Sequence, residues 1–322
     1  MTTGNWGDFL NGVSGLVNEV IDDTQALAPS WEGTGLFKKE QADDLIYRTE
    51  GVTGLSYTEL FDENDSIKED KTYPAYKTEY VMRQHGKTVT ISQMLMNVRP
   101  ALLAEKIDEV RQLRIAANRT LAKWGWQVLV DGFVTTNSSA NFPTARLSDA
   151  VALYSTAHPS KVAGVANRSN RLASDPLLSE SNLFTATRMI REQLNGRGLP
   201  TGYEGQFVLV VPPALEKLAL EITGSTMKSG SADNDLNYFS GGKCDVISTV
   251  YLGAAGGGSD TAWYVFAKNA PQPSLRYVSL IEPKIEQTVD FNTKAIRVSV
   301  DYACAFGYSN FEFTAASDGT ND

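Results

Sequence analysis

The residues with the most obvious chemistry lie in the stretch ALYSTAHPSKVAG, Ala152 to Gly164, where Ser155 and Thr156 stand just before His158. A hydroxyl nucleophile needs a base within hydrogen-bond reach and a carboxylate that orients the base. The chain holds only His85 and His158, so His158 would be that base. Pro159 keeps His158 extended, and no G-x-S-x-G elbow presents a serine. His158 therefore reads as a structural or surface histidine, with a serine hydrolase as the disfavoured alternative.

Other motifs fail on specific positions. A phosphate loop ending at GGKCD would need glycine at 237 and a hydroxyl at 244, and the chain has Asn237 and Cys244. LGAAGGGSD lacks the ordered glycine spacing of a dinucleotide fingerprint and has no helix after it. Asp62, Asn64 and Ser66 resemble the start of a calcium loop, but Ile67 and Tyr73 occupy the positions that require glycine and glutamate. Cys244 and Cys304 are too far apart in sequence for a metal knuckle and read as small buried hydrophobes. No catalytic residue, metal ligand or cofactor is assigned.

The elements that would have to position any site are better marked. The chain has 322 residues, 42% hydrophobic and 10% aromatic, enough for a substantial core. Its net charge of −9 argues against a nucleic-acid reader and for solubility at high concentration. No run of about eighteen apolar residues spans a membrane, and MTTGNWGDFLNGVSG is no secretory signal. The protein is expected to start in the cytoplasm.

Residues 8 to 23 place Phe9, Val13, Leu16 and Val20 at helical spacing, in a helix weakened by Gly12 and Gly15. Ala26 to Glu50 reads as an extended arm. Tyr76 to Ser92 alternates polar and apolar residues about His85-Gly86, which predicts two strands joined there by a tight turn. Glu59 to Lys71 is charged and reads as a solvated excursion. Leu103, Ile107, Val110, Leu113, Ala117, Leu121, Trp124 and Val128 then mark one helix of about thirty residues, about 45 Å long, with Pro100 in its first turn and Gly132 at its stop.

A second texture begins after that helix. Ser179 or Ser181 caps a helix with Leu183, Ala186, Ile190 and Leu194 on one face and Gly196 at its end. QFVLVVPP, PALEKLALEITG, CDVISTVYL and AWYVFA read as strand, helix, strand and strand, an α/β lobe. Asn292-Thr293 turns between two closing strands, and Tyr302, Phe306, Tyr308 and Phe311 supply packing.

Arm, hairpin, long helix, lobe and returning strands come in the order of a known family. The chain resembles the major capsid proteins of tailed bacteriophages over nearly its whole length. LYSTAHP, Leu153 to Pro159, looks like a motif of the Mu-like head protein branch. KTVTISQMLMNVRPALLAEKI and IEQTVDFNTKAIRVSVDYACAFG are similar to the family's step into the spine helix and to its closing strands. The resemblance implies an α+β, Hong-Kong-ninety-seven-like fold: N-terminal arm 1–50, extended hairpin loop 51–95, peripheral domain 96–180 with the spine helix, axial domain 181–275, and return strands 276–322. It also implies that LYSTAHP shapes a loop.

The same resemblance implies a non-enzymatic subunit that forms hexamers and pentamers of an icosahedral head around double-stranded DNA. Scaffolding, portal and decoration proteins would be its partners, with no membrane and no sequence-specific DNA binding. It would assemble in the host cytoplasm and reside in the virion. Arm and hairpin are too poor in apolar residues to stand alone, so Phe9, Leu16, Asp62, Lys68, Lys71, Tyr80 and His85 are the candidate contacts between subunits. Some members carry a cleaved scaffolding segment ahead of the arm; here residues 1 to 50 precede the hairpin, consistent with separate scaffolding or a processed end. Lys68, Lys71 and Lys77 read as solvated lysines rather than cross-linking groups. An encapsulin-like compartment is the alternative, separated from a phage head by its cargo.

Overall fold

The computed structural model describes residues 28–58, 60, 69–70, 73–92, 101–227, 236–290, 292–293 and 295–320. The amphipathic helix expected over 8–23 lies outside them. In chain order the elements are β1 (Phe37–Gln41), β2 (Ile46–Val52), β3 (Pro74–Val81), β4 (Arg83–Ser92), α1 (Ala101–Val130), β5 (Thr144–Ala145), α2 (Glu180–Arg191), β6 (Phe207–Val211), α3 (Pro213–Gly224), β7 (Cys244–Ser248), β8 (Trp263–Ala267), β9 (Leu275–Asp290), β10 (Ala295–Tyr308) and β11 (Thr314–Ser317). Among the described residues, no helix is long and apolar enough to cross a membrane.

The periodic stripe forms one 30-residue helix, as its spacing predicts. Val110, Leu113, Ala117, Leu121, Trp124 and Val128 are buried against a sheet ordered β1-β9-β10-β4. Phe306, Tyr302 and Tyr277 face them from the sheet, so that aromatic rings stack in the interior. Gly125, next to Trp124 of the stripe, is glycine for a local reason. A Cβ there would come within 2.7 Å of the Trp31 ring, which lies against the helix and donates its indole N–H to the Leu121 carbonyl at 3.1 Å. Segment 28–36 is thereby fastened to the spine.

β9 and β10 pair antiparallel through the turn at Asn292-Thr293. Leu275 to Leu280 and Tyr302 to Tyr308 lie mostly in the core; beyond them β9 becomes exposed at the surface, whereas β10, flanked by β4 as well, keeps Ile296, Val298 and Val300 buried.

A second sheet, ordered β11-β8-β6-β7, carries its own core with α2 and α3. The unbroken apolar runs FVLVV and WYVFA are buried at every position, as strands covered on both faces must be. Ser179 caps α2 by accepting the Asn182 N–H at 3.2 Å, and Pro213 opens α3. Gly196 is not the stop of α2: the helix ends at Arg191, and Leu194 lies beyond it, partly exposed. β11, which closes this sheet against β8, comes from the far end of the chain.

The hairpin expected across His85-Gly86 is not what the chain forms. β3 and β4 do not pair with each other. They part at Met82, which is buried and donates its N–H to the Leu45 carbonyl at 2.9 Å. β3 pairs antiparallel with β2, and β4 joins the edge of the large sheet against β10, with His85 opposite Tyr302 and Gly86 opposite Asp301. Both segments alternate polar and apolar residues, so the pattern identifies strands correctly and cannot say which strand each one meets. The two-stranded ribbon is therefore β2–β3.

Candidate functional site

His158 answers the question its sequence raises. It is 0% exposed. Its Nδ1 faces an Asp149 carboxylate oxygen at 2.8 Å, and Nε2 faces the Leu153 carbonyl at 3.1 Å and the Asn170 side-chain oxygen at 3.2 Å. The imidazole lies flat on Phe311, with ring centroids 3.6 Å apart and planes 6° from parallel. Arg168 stacks on the same phenyl ring at 4.7 Å and donates to Glu312 at 2.6 Å. Ser155 spends its hydroxyl on the Ala157 N–H. Neither ring nitrogen meets a hydroxyl, so the geometry joins neither Ser155 nor Thr156 to His158. The motif instead braces loop 153–170 against the strand end at 309–313.

Two of the candidate contact residues lie among the described ones, and both face inward. Tyr80 is 0% exposed, packed with Ala42, Met82, Val278 and Ala305. It faces the body because alternation along β3 turns Thr78 and Tyr80 the same way, and Thr78 fixes that face by donating to the Tyr308 carbonyl at 3.0 Å. His85, expected at an exposed turn, is a half-buried strand residue stacked on Tyr302 and Phe142 and edge-on to Trp124. Burial lowers its pKa. Phe9, Leu16, Asp62, Lys68 and Lys71 lie outside the described residues.

Beyond Thr53 the ribbon exposes residues that the sequence reading passed over. Leu55, Tyr57 and Leu60 are 58%, 70% and 98% exposed. Three apolar side chains within six positions of an otherwise polar segment were the available signal. On the ribbon itself, cross-strand ion pairs Arg48–Glu79 and Lys77–Glu50 hold the register.

The root of the ribbon is fastened to the loop after α2. Asp70 accepts the N–H and hydroxyl of Ser56, each at 2.7 Å, and takes the Arg197 guanidinium at 2.8 and 2.9 Å. These donors, Ser56 first, hold its carboxyl far below the usual carboxylate range. Arg197 also lies over the Tyr73 ring at 5.4 Å. Thr53 packs on Gly196, where a Cβ would meet the threonine methyl at 2.8 Å. Lys161 donates to the Ala75 carbonyl at 2.7 Å and covers Tyr76. No sequence signal links Asp70 to Arg197, which are 127 positions apart.

Among the described residues, no group of three or more histidine, cysteine, aspartate or glutamate side chains is placed to hold a metal ion. Burial raises both thiols, Cys244 to about 12, which keeps them un-ionised and unreactive.

Comparison with known proteins gives this surface a setting. No curated protein sequence matches the chain. Among solved structures it is similar to one of Mycobacterium phage Patience, at 12% identity and TM-score 0.53 over 97% of this chain and 86% of that one. It is also similar to the asymmetric unit of the bacteriophage PhiM1 mature capsid, at 13% identity and TM-score 0.54 over 90% and 86%. A third likeness is to the procapsid of bacteriophage JBD30, at 13% identity and TM-score 0.51 over 96% and 75%. At these identities the likeness establishes the fold, the Hong-Kong-ninety-seven-like α+β fold of tailed-phage capsid proteins. Residues 75–316 match the family profile described as "Phage capsid protein". The spine helix, the two sheets and the ribbon's inner strand all lie largely within that span, and the chain belongs to the phage capsid protein family.

Proposed function

We propose that copies of this chain assemble through hexamers and pentamers into an icosahedral head shell around a double-stranded DNA phage genome. The supporting observation is the exposed apolar run Leu55, Tyr57 and Leu60, which the described residues leave uncovered. Burying such a patch against a sister subunit removes the cost of its hydration. Many modest contacts of this kind, engaged together, make a shell stable through effective concentration. In this reading residues 1–50 form the arm, 51–95 the extended loop, 96–180 and 276–322 the peripheral domain, and 181–275 the axial domain. Scaffolding, portal and decoration proteins complete the particle, assembly takes place in the host cytoplasm, and the likeness of LYSTAHP to a motif of the Mu-like head proteins supports membership of that branch. The chain's acidity suits a wall that DNA must move past without sticking.

Deleting residues 56 to 72 tests the proposal. Purified wild-type protein is expected to form capsomers, tubes or shells by sedimentation and negative-stain electron microscopy. The deletion should keep a folded body and lose closed shells. A folded wild-type chain that stays monomeric at every concentration would refute the reading.

A further inference from the structure

A cavity of about 260 Å³ opens at the ribbon root, where strand residues of β2 and β3, the loop after α2 and the segment 309–313 meet. Its walls join two kinds of surface. Tyr76, Leu147, Phe311 and Phe313 give it apolar sides, and Lys161, Arg168 and Thr201 add polar groups. In a chain of net charge −9, this lining carries two cations and one carboxylate, Glu312, and is therefore net positive by one.

The Arg168 charge is paired with Glu312, which leaves the exposed Lys161 as the net charge of the lining, but both cations keep N–H donors to spare. Lys161 has three N–H donors and gives one to the Ala75 carbonyl. Arg168, largely buried, commits its Nη1 to Leu194 and Glu312, while its Nε has no partner. The Thr201 hydroxyl, also buried, has none either. Buried donors without acceptors are costly, and anionic oxygen is their strongest acceptor.

We infer that this cavity is a binding site for a small monocarboxylate with an apolar body. The carboxylate lies toward Lys161 and Arg168, and the apolar part lies among Tyr76, Leu147, Phe311 and Phe313. A ligand seated there touches both the ribbon root and the loop after α2, and so wedges the angle at which the ribbon leaves the body. That last consequence rests on the shell reading, whereas binding does not.

Benzoate and octanoate are the probes, with benzamide as the uncharged control, titrated calorimetrically into the full-length chain under conditions where sedimentation shows no assembly. Saturable binding of both carboxylates is expected, with benzamide at least tenfold weaker, as loss of a charge-assisted contact implies (about tenfold). Lys161→Met should weaken benzoate about tenfold, and Thr201→Phe, which fills the space, should abolish binding. Hydrogen exchange on the wild type gives a readout that needs no variant: benzoate should slow exchange at residues 53–54 and 195–201. No saturation up to about 10 mM, equal affinity for benzamide, indifference to both substitutions, or no protection at the root would each overturn the site. Assembly of unliganded protein is scored separately, so failure of the site and failure of the shell reading are distinct results.

Discussion

Along α1 the side chains that meet the large sheet are aromatic or aliphatic and buried, and each touches several others. Along β2 and β3 only one face of the root is covered, and past Thr53 the apolar residues point into solvent. Both elements are long. The spine carries its stabilisation with it, because its stripe from Val110 to Val128 is buried within one chain. The ribbon depends on ion pairs, on the Asp70–Arg197 link and on whatever covers Leu55, Tyr57 and Leu60. Exposed ion pairs contribute little each, so the ribbon is the less firmly held of the two.

The comparison breaks most visibly at Trp124, which has no exposed surface and packs on His85, Phe142 and Phe306. Trp124→Ala should cost about 3–5 kcal/mol of unfolding free energy, read as a lower denaturant midpoint. A loss below about 1 kcal/mol would mean that the spine is not the body's keystone.

Arg168 is the next largest. Arg168→Met leaves Glu312 buried without its ion pair, at a cost of about 3 kcal/mol. The effect depends on pH. Burial already lifts the pKa of Glu312 above its ordinary value of 4.5, and losing the guanidinium removes the main effect that lowers it. A folded state that keeps its proton where the unfolded chain has released it loses stability as pH rises. The variant should therefore be closest to wild type below pH 4.5 and fall away above it. Denaturation curves at several pH values decide this, and a deficit that grows on acidification would reverse the assignment.

Replacing Leu55, Tyr57 and Leu60 together by serine should change unfolding free energy by less than about 0.5 kcal/mol while preventing shell closure in electron micrographs. Equal loss of both would place these residues in the body's own core.

These contrasts track what the sequence makes legible. The spine's spacing by three and four, the uninterrupted FVLVV and WYVFA runs and the Asn292-Thr293 turn are local signals, and each appears as an element at the expected place. Strand partnership is not local. The alternation through Tyr76–Ser92 fits two strands equally whether they pair with each other or part at Met82, and only burial of Tyr80 and His85 against distant elements separates the cases. The root was invisible for the same reason: Ser56, Asp70 and Arg197 are ordinary polar residues until the fold brings them together.

The smallest effect is the sharpest test of the root. Asp70 lies at the surface, so Asp70→Ala should leave the global unfolding midpoint nearly unchanged. It removes the acceptor of the Ser56 N–H at 2.7 Å and the partner of Arg197, so exchange of the Ser56 amide should quicken severalfold by NMR. A depressed carboxyl pKa adds stability that is present above the unfolded value of 3.8 and is lost only as pH falls through the lower folded value. In wild-type protein the Ser56 amide should accordingly stay protected as pH drops past 3.8, while unpaired surface carboxylates titrate. If that protection vanished near pH 4, the Ser56 donors and Arg197 would not be holding the Asp70 carboxylate, and the ribbon root would be as loosely tied as the rest of the ribbon.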